Sequence, residues 1–178
     1  MQKWKKIRRN VLLEHPRLRI VEDDVALPDG VMTKYIHFDG QKSAATVLVI
    51  KDDAVLMQRE YSYPPDKIML QLPCGAIEEG ENPMETAKRE LVEESGYTAP
   101  KLELIGSYYH DNRRSNAKMY VYLATDAVSC EKIGGDPQEF IESFWMSLAI
   151  LSKSIADGTI DNLTVLAAWA FFAARQQA

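Results

Sequence analysis

The chain has 178 residues, 46% of them hydrophobic, and a formal net charge of −5. That length suits one domain with a small appendage and a proper core, and the acidic balance argues against general nucleic-acid binding while leaving a nucleotide substrate open. Two cysteines, Cys74 and Cys130, exclude a disulfide framework and a cysteine zinc site, and point to a reducing cytoplasm.

Lys3, Lys5, Lys6, Arg8 and Arg9 make the N-terminus basic, which reads as a solvated, flexible arm. No apolar stretch long enough for a signal peptide follows it. Residues 18–27 alternate as a strand, Pro28-Asp29-Gly30 signals a turn, and residues 31–38 read as the return strand. Asp39-Gly40 ends this hairpin. Residues 1–40 are therefore an arm and hairpin with little core of their own, expected to pack on the main domain or on a second subunit. Residues 41–178 form the main domain.

Within it, residues 45–50 and 54–61 flank Lys51-Asp52-Asp53 as another hairpin, and residues 69–72 form a short strand running into Pro73-Cys74-Gly75. Asn82 is a good helix N-cap, Pro83 suits the first helical position, Glu85 completes a capping box, and Gly96 suits the left-handed residue after the helix. Met84, Ala87 and Leu91 recur at three and four as a buried stripe. Residues 102–109 and 119–124 read as strands around a polar loop, 110–118, and residues 140–146 as one more strand. Ser147 caps a helix through Ala156 that Gly158 ends, and Asp161 or Asn162 caps the last helix. The most apolar stretch, residues 163–174, is too short to span a bilayer and reads as a buried helix.

Glu90, Glu93 and Glu94 stand three and four residues apart, which puts three carboxylates on one face of the helix. Like charges so close repel, and a hard divalent cation with oxygen ligands is their natural partner. Glu85, Arg89 and Glu93 are four apart, so Arg89 is expected to bridge two of the acids and fix a glutamate rotamer.

Gly75, Glu81 and Arg89-Glu90-Leu91-Val92-Glu93-Glu94-Ser95-Gly96-Tyr97 fall in the order G-x5-E-x7-R-E-U-x-E-E-x-G-U, where U is usually aliphatic and only Tyr97 departs. This run of 23 residues resembles the signature of the Nudix hydrolases. The resemblance implies an α/β fold: a Nudix-like α/β/α sandwich with a mixed sheet, here with an N-terminal β-hairpin extension. It implies metal-dependent hydrolysis of a diphosphate bond, with Glu90 and Glu94 ligating Mg2+ or Mn2+ and Glu93 binding the metal or its water. A carbonyl of Cys74 or Gly75 is a further ligand by the same resemblance, while Glu81 supports the loop and Arg89 is a structural salt bridge. The Cys74 side chain is expected only to pack.

The leading hairpin and Leu27-Pro28-Asp29-Gly30 resemble the ADP-ribose and nucleotide-sugar pyrophosphatase branch, in which N-terminal strands are commonly exchanged across a homodimer. The branch often draws its general base from a late loop. Here that loop is Gly134-Gly135-Asp136-Pro137-Gln138-Glu139, its two glycines read as conferring mobility, and Glu139 is the candidate, with Asp136 and Glu142 behind it and Glu93 as the other possibility. Residues 59–64 resemble a family stretch that reads R-Q-Y-R-Y-P, with Ser62 in place of the second arginine; Arg59 and Tyr61 are candidate substrate contacts. Tyr109, Arg113 and Arg114 on the polar loop are further candidates, the ring for stacking and the guanidinium groups for phosphate. His110 reads as polar surface or a base. The expected partner is a small nucleotide, with no nucleic acid and no membrane. A nucleoside-triphosphate housecleaning enzyme and a non-catalytic nucleotide-sugar sensor are the rival readings; the intact set of acids speaks against the sensor.

Overall fold

The computed structural model describes residues 1–135 and 140–176. The chain divides into two units, Met1–Lys42 with Tyr109–Ala117, and Ser43–Tyr108 with Lys118–Ala178.

In the first unit β1 (Lys5–His15), β2 (Leu18–Ala26) and β3 (Met32–Phe38) make an antiparallel sheet with β2 at its centre. β2 and β3 are the hairpin expected from the alternation. Gly30, at φ 86°, closes its turn by donating its N–H to the Leu27 carbonyl at 2.9 Å. The basic run is not a flexible arm: from Lys5 to Arg9 it forms the first half of β1. In register, Arg8 faces Asp24 and Arg9 faces Asp23. Arg9 donates to both Asp23 oxygens at 2.7 and 2.9 Å and to Asp39 at 2.7 Å. The partners lie 14 and 30 positions along the chain, so Arg9 of this run is paired by acids that no local spacing reveals, one of them on the neighbouring strand. Asp23 is buried, and the Arg9 guanidinium holds its carboxyl far below the usual carboxylate range. Segment 109–117 belongs to the same unit. The Phe38 N–H donates to the Arg114 carbonyl at 2.8 Å and the Tyr35 hydroxyl to the Arg113 carbonyl at 2.5 Å.

The second unit contains, in chain order, β4 (Ala44–Lys51), β5 (Ala54–Ser62), β6 (Lys67–Gln71), β7 (Cys74–Ala76), α1 (Pro83–Ser95), β8 (Tyr97–Thr98), β9 (Glu103–Tyr109, all but its last residue), β10 (Lys118–Ala124), β11 (Val128–Ser129), β12 (Glu142–Ser147), α2 (Leu148–Ala156) and α3 (Leu163–Gln176). Its sheet runs β12-β5-β4-β10-β9, with β6 added to β5 and β7 to β4. β10 lies parallel to β4 while β5, β7 and β12 pair antiparallel, so the sheet is mixed. β8 and β11, two residues each, pair with one another. Neither shows in the alternation, because two residues carry no period.

β4 and β5 are apolar on both faces, as strands covered on both sides must be. Leu48, Ile50, Val55 and Met57 pack on one face with Leu151, Ile160, Val165 and Ala168 from the α2–α3 region. Val47, Val49 and Leu56 pack on the other with Ala87 and Leu91 of α1. Burial of each Val, Leu, Ile or Met side chain among them contributes about 1.5–3 kcal/mol, and this second cluster fixes α1 against β4. Ser147 caps α2 by accepting from the Ile150 N–H at 3.3 Å, and Asn162 precedes α3, accepting from the Thr164 N–H at 2.9 Å. Among the described residues no helix is long and apolar enough to cross a membrane.

Candidate active site

The ends of α1 are set by local chemistry. The Asn82 carboxamide oxygen accepts from the N–H groups of Met84 and Glu85 at 3.0 and 3.1 Å, and Glu85 reaches back to the Asn82 N–H at 2.9 Å. At the other end Gly96 adopts φ 69° and donates to the Val92 carbonyl at 3.0 Å. Two details differ from the expected pattern. Met84, 39% exposed, is outside the buried stripe of Ala87 and Leu91. Glu85 is spent on the cap, so Arg89 does not bridge Glu85 and Glu93.

Arg89 turns instead to Glu81. Its Nε and Nη2 donate to the two Glu81 carboxylate oxygens at 2.8 and 3.1 Å. Its Nη1 donates to Glu90 at 2.6 Å and to Glu93 at 3.1 Å, and Nη2 also meets the Ala76 carbonyl at 3.2 Å. Glu81 accepts further from the Thr86 hydroxyl at 2.8 Å and the Glu78 N–H at 3.2 Å. The Arg89 guanidinium above all, then the Thr86 hydroxyl, lowers the Glu81 carboxyl to about 2. One arginine thus ties the loop after β7, through Glu81, to Glu90 and Glu93 of α1.

Glu90 and Glu94 are the two buried acids of the face, 9% and 7% exposed. Burial pushes the Glu90 carboxyl above the ordinary glutamate value against the pull of Arg89. Glu90 lies where Gly75 has no side chain: a Cβ there would be 2.0 Å from Glu90 Oε1. Glu94 accepts the Cys74 N–H at 2.9 Å. Strand β7 is therefore laid edge-on against the acidic face, and only a residue without a Cβ permits the approach. Cys74 and Cys130 are not joined in a disulfide.

Glu93 is bounded differently. Gly134 and Gly135 have φ 86° and 94°, and a Cβ on Gly134 would be 2.7 Å from Glu93 Oε1. At these positions the missing side chains allow a left-handed backbone and, at Gly134, the close approach of Glu93. Glu139 and Asp136 lie outside the described residues. Glu142, the remaining loop acid, is engaged by Arg59 Nε at 3.3 Å.

Tyr97, the one departure from the signature, meets Trp145 of β12 edge-on at 5.5 Å between ring centres, and its hydroxyl oxygen accepts the indole N–H at 2.9 Å. An aliphatic residue offers no such acceptor.

The structure brings Cys74, Gly75, Glu81, Arg89, Glu90, Glu93 and Glu94 together. It does not bring Arg59 and Tyr61 into this hydrogen-bonded cluster. The Arg59 guanidinium stands 4.8 Å over the Phe144 ring, and the Tyr61 hydroxyl donates to Asp66 at 2.8 Å. Tyr109, Arg113 and Arg114 fall in the N-terminal unit. There Arg113 and Arg114 line a cavity of about 500 Å3 with Trp4, Arg9, Asp23 and Tyr35. Trp4 meets Tyr35 edge-on at 5.9 Å. Sequence reasoning missed Trp4, Tyr35 and His37 as cavity residues; the signal for the last two was their alternate spacing on one strand. Partial desolvation lowers the pKa of the His110 imidazole below its ordinary value.

Among the described residues no three His, Cys, Asp or Glu side chains are drawn together as a ready metal cage. Arg89 Nη1 is the positive charge between Glu90 and Glu93. The donor set nonetheless fits a hard divalent cation: three carboxylates on one helical face, two of them buried, beside a backbone that approaches without a Cβ.

The NUDIX domain family model matches residues 40–168. An ADP-ribose pyrophosphatase of Bacillus subtilis (strain 168) is 33% identical over 127 residues, 71% of this chain and 69% of the relative. A methanol dehydrogenase activator of Bacillus methanolicus is 28% identical over 152 residues, covering 84% of this chain and 82% of its own. The crystal structure of an ADP compounds hydrolase superposes with a TM-score of 0.88 over 99% of this chain and 95% of its own, at 24% identity, a likeness of fold.

Proposed function

The chain belongs to the Nudix family, and from that premise we propose that it is a pyrophosphohydrolase acting on a nucleoside diphosphate joined to a second moiety, ADP-ribose or a nucleotide sugar, with Mg2+ or Mn2+ on the acidic face of α1. The observation that carries the reading is the approach of β7 to that face, Gly75 against Glu90 and the Cys74 N–H on Glu94. A solvated acidic patch needs no such backbone contact, and two of its acids would not be buried.

Glu90, Glu93 and Glu94 would hold the metal, with a Cys74 or Gly75 carbonyl beside them. When bound, it neutralises diphosphate charge and lowers the pKa of a water. The remaining steps belong to the chain. The Cys74 N–H fixes one oxygen of Glu94, and Arg89, held by Glu81, sets the rotamers of Glu90 and Glu93. A base must take the proton of the attacking water; we assign that role to Glu139, with Glu93 the competing candidate. Attack at one phosphorus breaks a P–O bond of the diphosphate bridge and releases a nucleoside monophosphate and a sugar phosphate. Arg59, Tyr61, Tyr109, Arg113 and Arg114 are assigned to substrate contact, and the N-terminal strands to a homodimer. A cytoplasmic location is assigned on the same reading, since two cysteines without a disulfide suit a reducing compartment.

The deciding experiment incubates the protein with ADP-ribose, nucleotide sugars and nucleoside triphosphates, with Mg2+, with Mn2+ and with EDTA, and identifies the products. Metal-dependent release of AMP from ADP-ribose, or of another monophosphate from a nucleotide sugar, is expected. Hydrolysis of triphosphates alone, or binding without turnover, overturns the reading. Light scattering is expected to give a dimer mass. Glu139→Gln separates the bases: it lowers turnover and spares Mn2+ binding, whereas Glu93→Gln lowers both.

A further inference from the structure

Glu93 is the most exposed of the three acids on the face, with 23% of its side chain open to solvent, and Arg89 reaches only its Oε2. A glutamate held at one oxygen keeps its other torsions free, and freezing them costs entropy whenever the carboxylate must sit in one place. Its other oxygen, Oε1, faces the backbone of Gly134. A Cβ there would lie 2.7 Å from Oε1, 3.2 Å from Cδ and 3.3 Å from Cγ. The whole carboxylate end of Glu93 therefore rests against the bare face of one glycine.

The segment that carries Gly134 is tied to α1 independently. β11 pairs with β8, the strand that follows the helix, and the Cys130 N–H donates to the Gly96 carbonyl at 2.8 Å. A Cβ on Gly96 would lie 3.1 Å from the Lys132 side chain. The chain therefore runs close beside the end of α1 from Cys130 to Gly135, where a Cβ would lie 3.6 Å from the Glu93 carbonyl oxygen. Both glycines adopt the left-handed backbone, φ 86° and 94°, yet only at Gly134 does the missing side chain make room for a functional group.

We propose that Gly134 is a positioning residue for Glu93: its bare α-carbon forms the wall that, opposite Arg89, confines the Glu93 carboxylate to one rotamer. The proposal rests on the reading of Glu93 as a member of the metal site. A side chain at 134 meets the far end of a flexible glutamate, not backbone, so it moves the carboxylate and leaves the fold in place. Such a displacement is worth far more in rate than in stability, since about 1 Å of misplacement costs up to about a hundredfold.

Gly134→Ala, Gly135→Ala, Glu93→Ala and the pair Gly134→Ala/Glu93→Ala test it, read by Mn2+ binding to the protein without substrate (electron paramagnetic resonance of free Mn2+) and by kcat and KM for ADP-ribose with Mg2+. Gly134→Asn, which keeps the Cβ but tolerates the left-handed backbone, serves if the alanine variant is poorly folded. G134A and G134N are expected to weaken Mn2+ binding and to lower kcat by about ten- to a hundredfold, with KM within about twofold. G135A carries the same backbone penalty without the collision and stays within about threefold. In the Glu93→Ala background G134A adds less than about twofold, as residues acting through one contact are non-additive. Equal losses in G134A and G135A, or full additivity with E93A, overturn the proposal while leaving Glu93 in the site. If E93A itself leaves Mn2+ binding and turnover unchanged, the reading of Glu93 falls, and the proposal with it.

Discussion

Gly75 and Glu90 are held so close that a Cβ on the glycine would lie 2.0 Å from Oε1 and 2.3 Å from Cδ of the carboxyl. The glycine of the signature is thus required by the helix it precedes, and its backbone is outside the left-handed region. Gly75→Ala is expected to displace Glu90 without backbone strain. Turnover should fall by about a hundredfold while the melting temperature in EDTA moves by only a few degrees; steady-state kinetics and thermal unfolding on the same samples check both halves.

Glu94→Gln keeps an oxygen to accept the Cys74 N–H and removes the charge. Metal stabilisation of a transition state is worth several kcal/mol, so turnover is expected to drop at least about a hundredfold, with an unchanged circular dichroism spectrum. Retained activity would displace Glu94 from the metal site.

Arg89 is the one cation contacting Glu81, Glu90 and Glu93 among the described residues. Arg89→Ala leaves these acids facing one another. Without metal the cost is expected to be about 1–3 kcal/mol, the penalty for stranding partly buried polar partners. Mn2+ restores part of it by supplying charge to the same face. Urea unfolding in EDTA and in Mn2+ measures the difference; an equal loss in both conditions argues that Arg89 acts only as a spacer.

Tyr97→Phe removes the acceptor of the Trp145 indole N–H and leaves the edge-on ring contact. About 1 kcal/mol of stability is expected to be lost. Tyr97→Val, which restores the commoner signature residue, should cost more because the ring contact goes as well. Denaturant midpoints of the two variants rank them.

In the N-terminal unit the Asp23 carboxyl is depressed below its ordinary value of 3.8, chiefly by Arg9 and then by His37. A group whose folded pKa is lowered stabilises above its unfolded pKa, and that stability is lost as pH falls through the folded one. Asp23→Asn is therefore expected to cost about 1.5–3 kcal/mol at neutral pH, the range for hydrogen bonds to charged groups. The gap from the unsubstituted protein should narrow steadily below the ordinary carboxylate range. A gap independent of pH would mean that packing, not the ion pair, sets the cost.

How far the chain is legible before folding depends on the distance over which each decision is made. The limits of α1, its cap at Asn82, its stop at Gly96 and the shared face of Glu90, Glu93 and Glu94 all follow from spacings within one helical turn or two, and helical geometry converts such spacings directly into directions. The hairpin of β2 and β3 and the two-sided apolar strands β4 and β5 are equally local. By contrast, the basic run is a strand only through its pairing with β2, where Arg9 meets Asp23. Glu81 took the arginine because Glu85 was needed at the cap, and Gly134 was placed against Glu93 by the pairing of β11 with β8. The sequence by itself determined which acids share a face and what kind of cation suits them. Only the tertiary structure decided which backbone lies against each acid, because contacts between distant segments depend on register and packing, and no periodicity within a single segment encodes either.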